Sequence, residues 1–405
     1  MLRRDFFPAA AAAATAGLAA CAPAPAPDRN AMAIKITGVE IFRIEVNSRG
    51  PWCVIRVQTD AGLTGIGDAS HSGKDDPAIG KIKEYAEVVK RGSIFDIEAL
   101  RAYAHPQYKE GGRAVSCALS ALEQALYDLQ GKAMGVPCWA LFGGKMRDQI
   151  RNYANINRST DDRVPAGFAE RAGQAIDAGF TAIKMASFDG MPRNGSAAEI
   201  EAHTKLGIEC AQAVRDRIGL ANDLLVDAHN NFDYERGLDL MKRMEPLELF
   251  FLEEISRPID VFSRLKKQAT MPIAGGESLF GVQEYWPYLV AETVNIAMPD
   301  VKYCGGMLEL KKIAAMAESN GVQCSPHGPA SPVGNMAAAH VCATLPNFLI
   351  LEYSYGDAVE WRAEMTNPPE PLEKGGMLRV PDTPGLGYEL NDTLVEKRLV
   401  DKATA

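Results

Sequence analysis

The apolar and polar positions of the chain follow two patterns that change over near residue 150. Between 33 and 70 they alternate. "AIKITGVEIFRIEV", "CVIRVQTD" and "LTGIGDAS" read as strands, with turn residues at Ser48-Arg49-Gly50 and Ala61-Gly62. "AVSCALSALEQALYDLQGKAMG" then carries apolar residues at three- and four-residue spacing, which predicts an amphipathic helix ending near Gly131 and Gly135. Three antiparallel strands with helices predict a small α+β domain over residues 33–145.

Beyond residue 150 short apolar runs alternate with helical stretches. The predicted strands are "IRNYANI", "TAIKMA", "LLVDAH", "LFFLEE", "MPIAGGE", "VNIAMPD", "VQCSPH" and "FLILEY". Between them lie helical segments such as "PAGFAERAGQAIDAG", "ERGLDLMKRMEP" and "GMLELKKIAAMAESNG". Eight β units in about 200 residues is the count of a (β/α)8 barrel. The last helix is weak and the tail 360–405 is rich in Pro and Gly. The expected fold is therefore α/β: a (β/α)7β-type modified TIM barrel over 146–359, preceded by the α+β domain, with the tail packing back on that domain. A doubly wound open sheet is the alternative, but no Gly-rich phosphate loop follows the first strand.

The polar residues that close these runs carry the chemistry. In order they are Lys184, Asp227 with His229, Glu253, Glu277, Asp300, His327 and Glu352. In a barrel the carboxyl ends of all the strands meet on one face, where active sites are built. Carboxylates that close three consecutive strands would repel one another unless a cation lay between them. Oxygen donors without cysteine suggest Mg²⁺.

Composition narrows the function. The chain has 405 residues, 47% hydrophobic and 23% charged, an ordinary globular balance with room for two domains. A net charge of −9 argues against a nucleic-acid partner. No apolar run reaches the length of a membrane span.

The N-terminus reads as a separate device. Arg3-Arg4 precede an Ala-rich apolar segment, and residues 1–21 resemble a twin-arginine export signal. That segment ends in Leu18-Ala19-Ala20-Cys21, which resembles a lipobox, so Cys21 is expected to carry a lipid and residues 22–32 to act as an Ala/Pro tether. The expected location is periplasmic, with the membrane contacted only through that anchor. The seven other cysteines form no CxxC pair and read as buried thiols rather than a disulfide framework or a zinc site.

Over residues 33–400 the sequence resembles the enolase superfamily, and within it the mandelate racemase/muconate lactonizing enzyme-like group. "VDAHNNFD", "FLEEISRP" and "AGGESLFG" are similar to that group's metal-ligand motifs, which implies Asp227, Glu253 and Glu277 as Mg²⁺ ligands, with Glu254 second to Glu253. "AMPDVKYCGG" and "CSPHGPASP" are similar to its Asp–His dyad, which implies Asp300 behind His327. "LEYSYGD" is similar to its strand-eight acid, Glu352. The resemblance implies removal of a proton α to a carboxylate, with the enediolate stabilised on Mg²⁺, and a first domain that caps the barrel mouth. Lys184 would neutralise charge from the other side, and Glu352 would donate a hydrogen bond if it retained its proton. Asp300 would fix the tautomer of His327 and raise its basicity.

One departure bears on the reaction. Racemases of the group carry Lys-x-Lys on strand two, whereas this chain has Lys184-Met185-Ala186 and lacks the second base. Asp227-Ala228-His229 resembles the Asp-x-His of sugar-acid dehydratases such as those acting on galactonate. Residues i and i+2 of a strand share a face, so His229 is expected in the same mouth as Asp227. The implied reaction is loss of water from an acid sugar, with His327 as base and His229 as acid, giving a 2-keto-3-deoxy product. Epimerisation, racemisation or cycloisomerisation of a related acid is the alternative. His229 as a cap, Lys302 as the base, and substrate contact by His71, Arg49 or Trp52 stay open. His105, His203 and His340 are expected to have no chemical role. The expected partner is a small-molecule carboxylate, and the chain is expected to form a homo-oligomer.

Overall fold

In the computed structural model, which describes residues 34–47, 50–357 and 360–405, the early alternation becomes an antiparallel meander. It consists of β1 (Ile36–Asn47), β2 (Gly50–Thr59) and β3 (Thr64–Asp68). The export signal with Cys21, the 22–32 tether and Arg49 lie outside the described residues. Three helices accompany this sheet: α1 (Asp76–Val89), α2 (Ile97–Ala104) and α3 (Tyr108–Met134). The helical spacing of the sequence marked only the second part of α3, because Gly112 at φ 52° breaks the helix and separates its first turn from the periodic stretch. Gly65 and Gly67 let β3 lie directly against α3. A Cβ at Gly67 would stand 2.0 Å from the carbonyl oxygen of Ala121, and one at Gly65 would stand 2.2 Å from that of Ala125.

The second pattern folds into parallel strands: β4 (Gln149–Asn155), β5 (Ala182–Met185), β6 (Asp223–Asp227), β7 (Phe251–Glu253), β8 (Ile273–Gly275), β9 (Ile296–Ala297), β10 (Gln323–Cys324) and β11 (Leu351–Ser354). Neighbours pair in sequence order from β4 to β10. The ring closes through β11, which pairs in parallel with β4 and takes hydrogen bonds to the β10 segment from Leu349 N to Cys324 O (2.9 Å) and from Glu352 N to Pro326 O (3.3 Å). The helices that follow the first seven barrel strands are α4 (Pro165–Asp177), α5 (Ala197–Ile218), α6 (Tyr234–Met244), α7 (Ile259–Lys266), α8 (Gly281–Val290), α9 (Met307–Ser319) and α10 (Pro332–Cys342). Among the described residues no α-helix lies between β11 and Asp392, and a short 3₁₀ turn, Ala363–Met365, stands there instead. This is a (β/α)7β barrel with an N-terminal α+β capping domain.

The tail is more ordered than its Pro/Gly content predicts. Met377–Arg379 pairs antiparallel with β4, and Leu399–Thr404 pairs antiparallel with β1 as the edge of the capping sheet. The seven cysteines outside the N-terminal segment are free and buried. Inside the barrel, Tyr153, Ala182, Leu225, Phe251, Ala274, Ile296, Met298 and Ile350 form one apolar cluster that fills the ring near the amino ends of its strands.

Candidate active site

Several hydrogen-bonded strands stop short of the residues predicted to close them. β8 ends at Gly275, β9 at Ala297 and β10 at Cys324, so Glu277, Asp300 and His327 sit on the first residues of the loops beyond. Lys184, Asp227, Glu253 and Glu352 lie on the strands themselves. All of these side chains converge at the carboxyl end of the barrel. One carboxylate oxygen each from Asp227, Glu253 and Glu277 lies within 4.8 Å of the other two. Glu254 points elsewhere: Oε1 accepts the amide of Gly276 at 2.7 Å, and Oε2 takes the side-chain amide of Asn230.

Strand alternation does not place His229. Its φ is 44°, in the left-handed region, and its amide donates to Asp227 Oδ1 at 2.8 Å, so a tight turn held by the aspartate carries it into the mouth. Its Nε2 then stands 2.8 Å from Asp227 Oδ2, while Nδ1 meets Asp189 Oδ1. Asn230 (φ 56°) and Glu254 (φ 48°) are also left-handed, so backbone strain gathers around the triad. The negative charge of Asp227, with help from Asp189, outweighs burial and pushes the His229 ring up to about 12.

Asp300 and His327 form the dyad, with Asp300 Oδ2 lying 2.8 Å from His327 Nδ1. Lys302 pins the same carboxylate from behind, through Nζ to Oδ2 at 3.0 Å and its amide to Oδ1 at 2.7 Å. With no exposure, and with its Nζ also on the carbonyl of Pro329, Lys302 is a brace for Asp300 rather than a base facing the mouth. His327 Nε2 stands 3.0 Å from Glu277 Oε2 and 3.7 Å from Glu352 Oε2. Burial disfavours the charged ring, but these carboxylates and the bond to Asp300 prevail and raise it to about 10.

Lys184 is buried between two acids, 2.9 Å from Glu253 Oε2 and 3.5 Å from Glu352 Oε1. Burial and the neighbouring Asp227 push the Glu253 carboxyl well up in spite of this lysine. Glu352 would donate a hydrogen bond only with its proton retained. Burial alone would raise it, but Lys184, His327, the Gly328 amide (2.9 Å) and the Asn155 side chain hold it down at about 2, so it is a carboxylate and an acceptor.

A cleft of about 180 Å³ opens onto these groups, and its lining includes Arg113 from the capping domain, Arg158 and Tyr303. Larger cavities, of about 410 Å³ at the amino end of the barrel and about 480 Å³ behind Glu254, hold neither dyad nor triad. Arg113 lies 4.3 Å from the centre of the Tyr303 ring and donates to Ser278 at 2.6 Å; Arg158 donates to Ser72 at 2.6 Å. The sequence reading missed Arg113, Arg158, Asp189 and Tyr303, because none of them closes an apolar run. The His71 ring stands against Tyr303, with Nδ1 3.5 Å from its hydroxyl. Trp52 is buried against Trp361, away from the cleft. His105 packs on Phe280, His203 lies on α5, and His340 lies on α10 between Trp139 and Leu386; none of the three lines the cleft.

The oxygen set, with Asp227 and Glu253 buried and Glu277 partly exposed, suits a hard divalent cation: three carboxylates, no thiol, and a cluster whose mutual repulsion only positive charge relieves. Residues 167–394 match the family model of the enolase C-terminal domain-like fold, and residues 41–143 match that of the mandelate racemase/muconate lactonizing enzyme N-terminal domain. This chain is a member of the enolase superfamily. Within the superfamily it belongs to the mandelate racemase/muconate lactonizing enzyme group. It is 31% identical to D-xylonate dehydratase of Haloferax volcanii over 91% of this chain and 90% of that one. It is 29% identical to D-galactonate dehydratase of Ralstonia pickettii, over 90% and 94%. Among solved structures, a mandelate racemase/muconate lactonizing enzyme from Jannaschia sp. CCS1 superposes with a TM-score of 0.81 at 30% identity, over 91% of this chain and 98% of that one.

Proposed function

We propose that this enolase-superfamily chain is a Mg²⁺-dependent acid-sugar dehydratase that yields a 2-keto-3-deoxy acid. The observation that carries the reading is the placement of two histidines on opposite sides of one mouth. His229 follows β6 and His327 follows β10, strands four places apart in a ring of eight. Asp227, Glu253 and Glu277 would hold the cation, which when bound supplies the positive charge that offsets the second negative charge of an enediolate.

Removing a proton α to a carboxylate needs a base fixed in position. His327 takes that proton at Nε2, because Asp300 occupies Nδ1. With the C2–H bond broken, the electron pair expels the β-hydroxyl. His229 protonates that hydroxyl as the C3–O bond breaks, and water leaves. The enol tautomerises to the 2-keto-3-deoxy acid. Lys184 balances charge beside Glu253 and Glu352. Arg113 and Arg158 bring positive charge to the rim, which suits an anionic substrate. The absence of a second lysine, since Ala186 follows Lys184-Met185, favours elimination over two-base racemisation. The relatives' names, dehydratases of D-xylonate, D-galactonate and D-gluconate, support the same reaction class.

The test is a screen of the purified, Mg²⁺-loaded protein against aldonates and aldarates, with 2-keto products detected by mass. A product one water lighter than its substrate is expected. A product of unchanged mass, epimerised or cyclised, would replace dehydration with isomerisation. The leader of residues 1–21 extends the proposal to export and a lipid at Cys21, a reading carried by sequence alone. Cys21→Ser should release the protein from the membrane fraction.

A further inference from the structure

Each mouth histidine has a carboxylate behind its Nδ1, and each carboxylate is itself tied to a cation. For His327 these partners are Asp300 and Lys302. For His229 the carboxylate is Asp189, on the loop after β5. Asp189 Oδ1 meets the ring, while Oδ2 accepts from Arg163 Nη2 at 3.1 Å and from the side-chain amide of Asn157 at 3.2 Å. Arg163 also donates to the carbonyls of Asn157 (3.2 Å) and Ala186, so the loop after β4 and the loop after β5 are clamped together around this one acid.

The geometry points to Asp189 as the residue that positions His229 for protonation of the leaving hydroxyl, an inference that rests on the dehydratase reading. By taking the Nδ1–H, Asp189 leaves Nε2 as the only ring position whose proton faces the mouth. When that Nε2–H bond breaks and the proton passes to the departing oxygen, His229 is left neutral with its remaining proton still on Nδ1. Without the carboxylate the ring is free to turn about its side-chain bonds, and Nε2 is then no longer held toward the leaving oxygen.

The experiment uses Mg²⁺-loaded enzyme in deuterated water with D-galactonate, D-gluconate and D-xylonate, and follows loss of water and exchange of the α-proton separately. Asp189→Asn should slow water loss on the order of 10²-fold while exchange continues near the wild-type rate. Asp189→Ser, which leaves the loop uncrowded, should show the same split. A structural role would lower both rates together, and that result, or unchanged water loss, overturns the assignment. The ¹⁵N signals of the His229 ring give a readout that needs no substrate. They should report a proton held on Nδ1 in a hydrogen bond in the wild type and loss of that bond in Asp189→Ser, with His327 unaffected. A wild type that transforms none of the three acids would count against the dehydratase reading; the ring signals would still decide whether Asp189 holds His229, and an unchanged His229 spectrum refutes it.

Discussion

The floor and the mouth of the barrel are made by the same strands, two residues apart. Ala182, Leu225, Phe251, Met298 and Ile350 point inward and belong to the apolar plug. Two positions further along β5, β6 and β7 stand Lys184, Asp227 and Glu253, and Asp300 and Glu352 keep the same offset from Met298 and Ile350 beside the strands. Side chains two apart on a strand share a face, so within about 7 Å the barrel interior changes from hydrocarbon to buried charge. The floor gains free energy by excluding water. The mouth keeps buried ionised groups whose mutual repulsion is relieved only in part by Lys184 and Lys302. Stability and chemistry are thus divided along the strand axis, and each end can be perturbed by itself.

The largest effect belongs to the mouth. His327→Asn should lower both water loss and α-proton exchange by about 10³–10⁴-fold, while the melting curve stays that of a cooperatively folded chain. Steady-state rates and a melting curve on one preparation check this. The floor should answer in the opposite sense. Phe251→Ala empties part of the plug and should cost about 3–5 kcal/mol of stability in a denaturant titration, while the folded fraction keeps its chemistry. If Phe251→Ala lost activity without losing stability, the division between floor and mouth would be wrong.

Metal should bridge the two ends. A cation that neutralises the triad binds the folded chain alone, so Mg²⁺ at a hundred times its dissociation constant should add about 2.7 kcal/mol, and a chelator should remove it. Glu253→Gln should abolish that gain, read as a melting shift that requires no substrate. If the gain survived in Glu253→Gln, Glu254 would be the acid to test next.

The smallest effect tests the contrast between histidines that neighbouring carboxylates raise in the mouth and one that burial lowers in the wall. His340 is buried, its Nδ1 accepts the Trp139 amide at 3.2 Å, and its Nε2 faces the carbonyl of Leu386 at 3.2 Å. Burial lowers it to about 4. Its folded value lies below the unfolded value of about 6.5, so the unfolded chain binds the extra proton first and stability falls as pH drops through that window. The loss from this group should be about 2 kcal/mol between pH 7 and pH 5. His340→Gln should flatten that part of the stability curve; an unchanged slope would assign it to other groups.

What could be read from the sequence follows from the same division. Asp227, Glu253 and Glu352 each follow a run of apolar residues, so linear order marks them as strand ends. Asp189 does not: it lies in a Gly/Pro-punctuated loop, and only the fold brings it to His229 and Arg163. Arg113 reaches the cleft from another domain. The ionisation of Glu352 depends on Lys184 at 3.5 Å and on an amide from the β10 loop, distances that no linear pattern encodes. Helix α1 is as legible as α3, since Ala78, Ile82, Tyr85, Ala86 and Val89 recur at helical spacing and are buried on one face. The Asx turn at Asp227 gave His229 the right place for a reason other than strand alternation.

The strand Leu399–Thr404 closes the capping sheet against β1, yet the whole barrel lies between them in the chain. A ribosome must therefore synthesise every barrel strand before the first domain can receive its last neighbour. Until then β1 presents an unpaired edge, the kind of surface that recruits other chains. In a nascent polypeptide this domain, although made first, would be the later of the two to finish, and its exposure time would be set by the rate of translation.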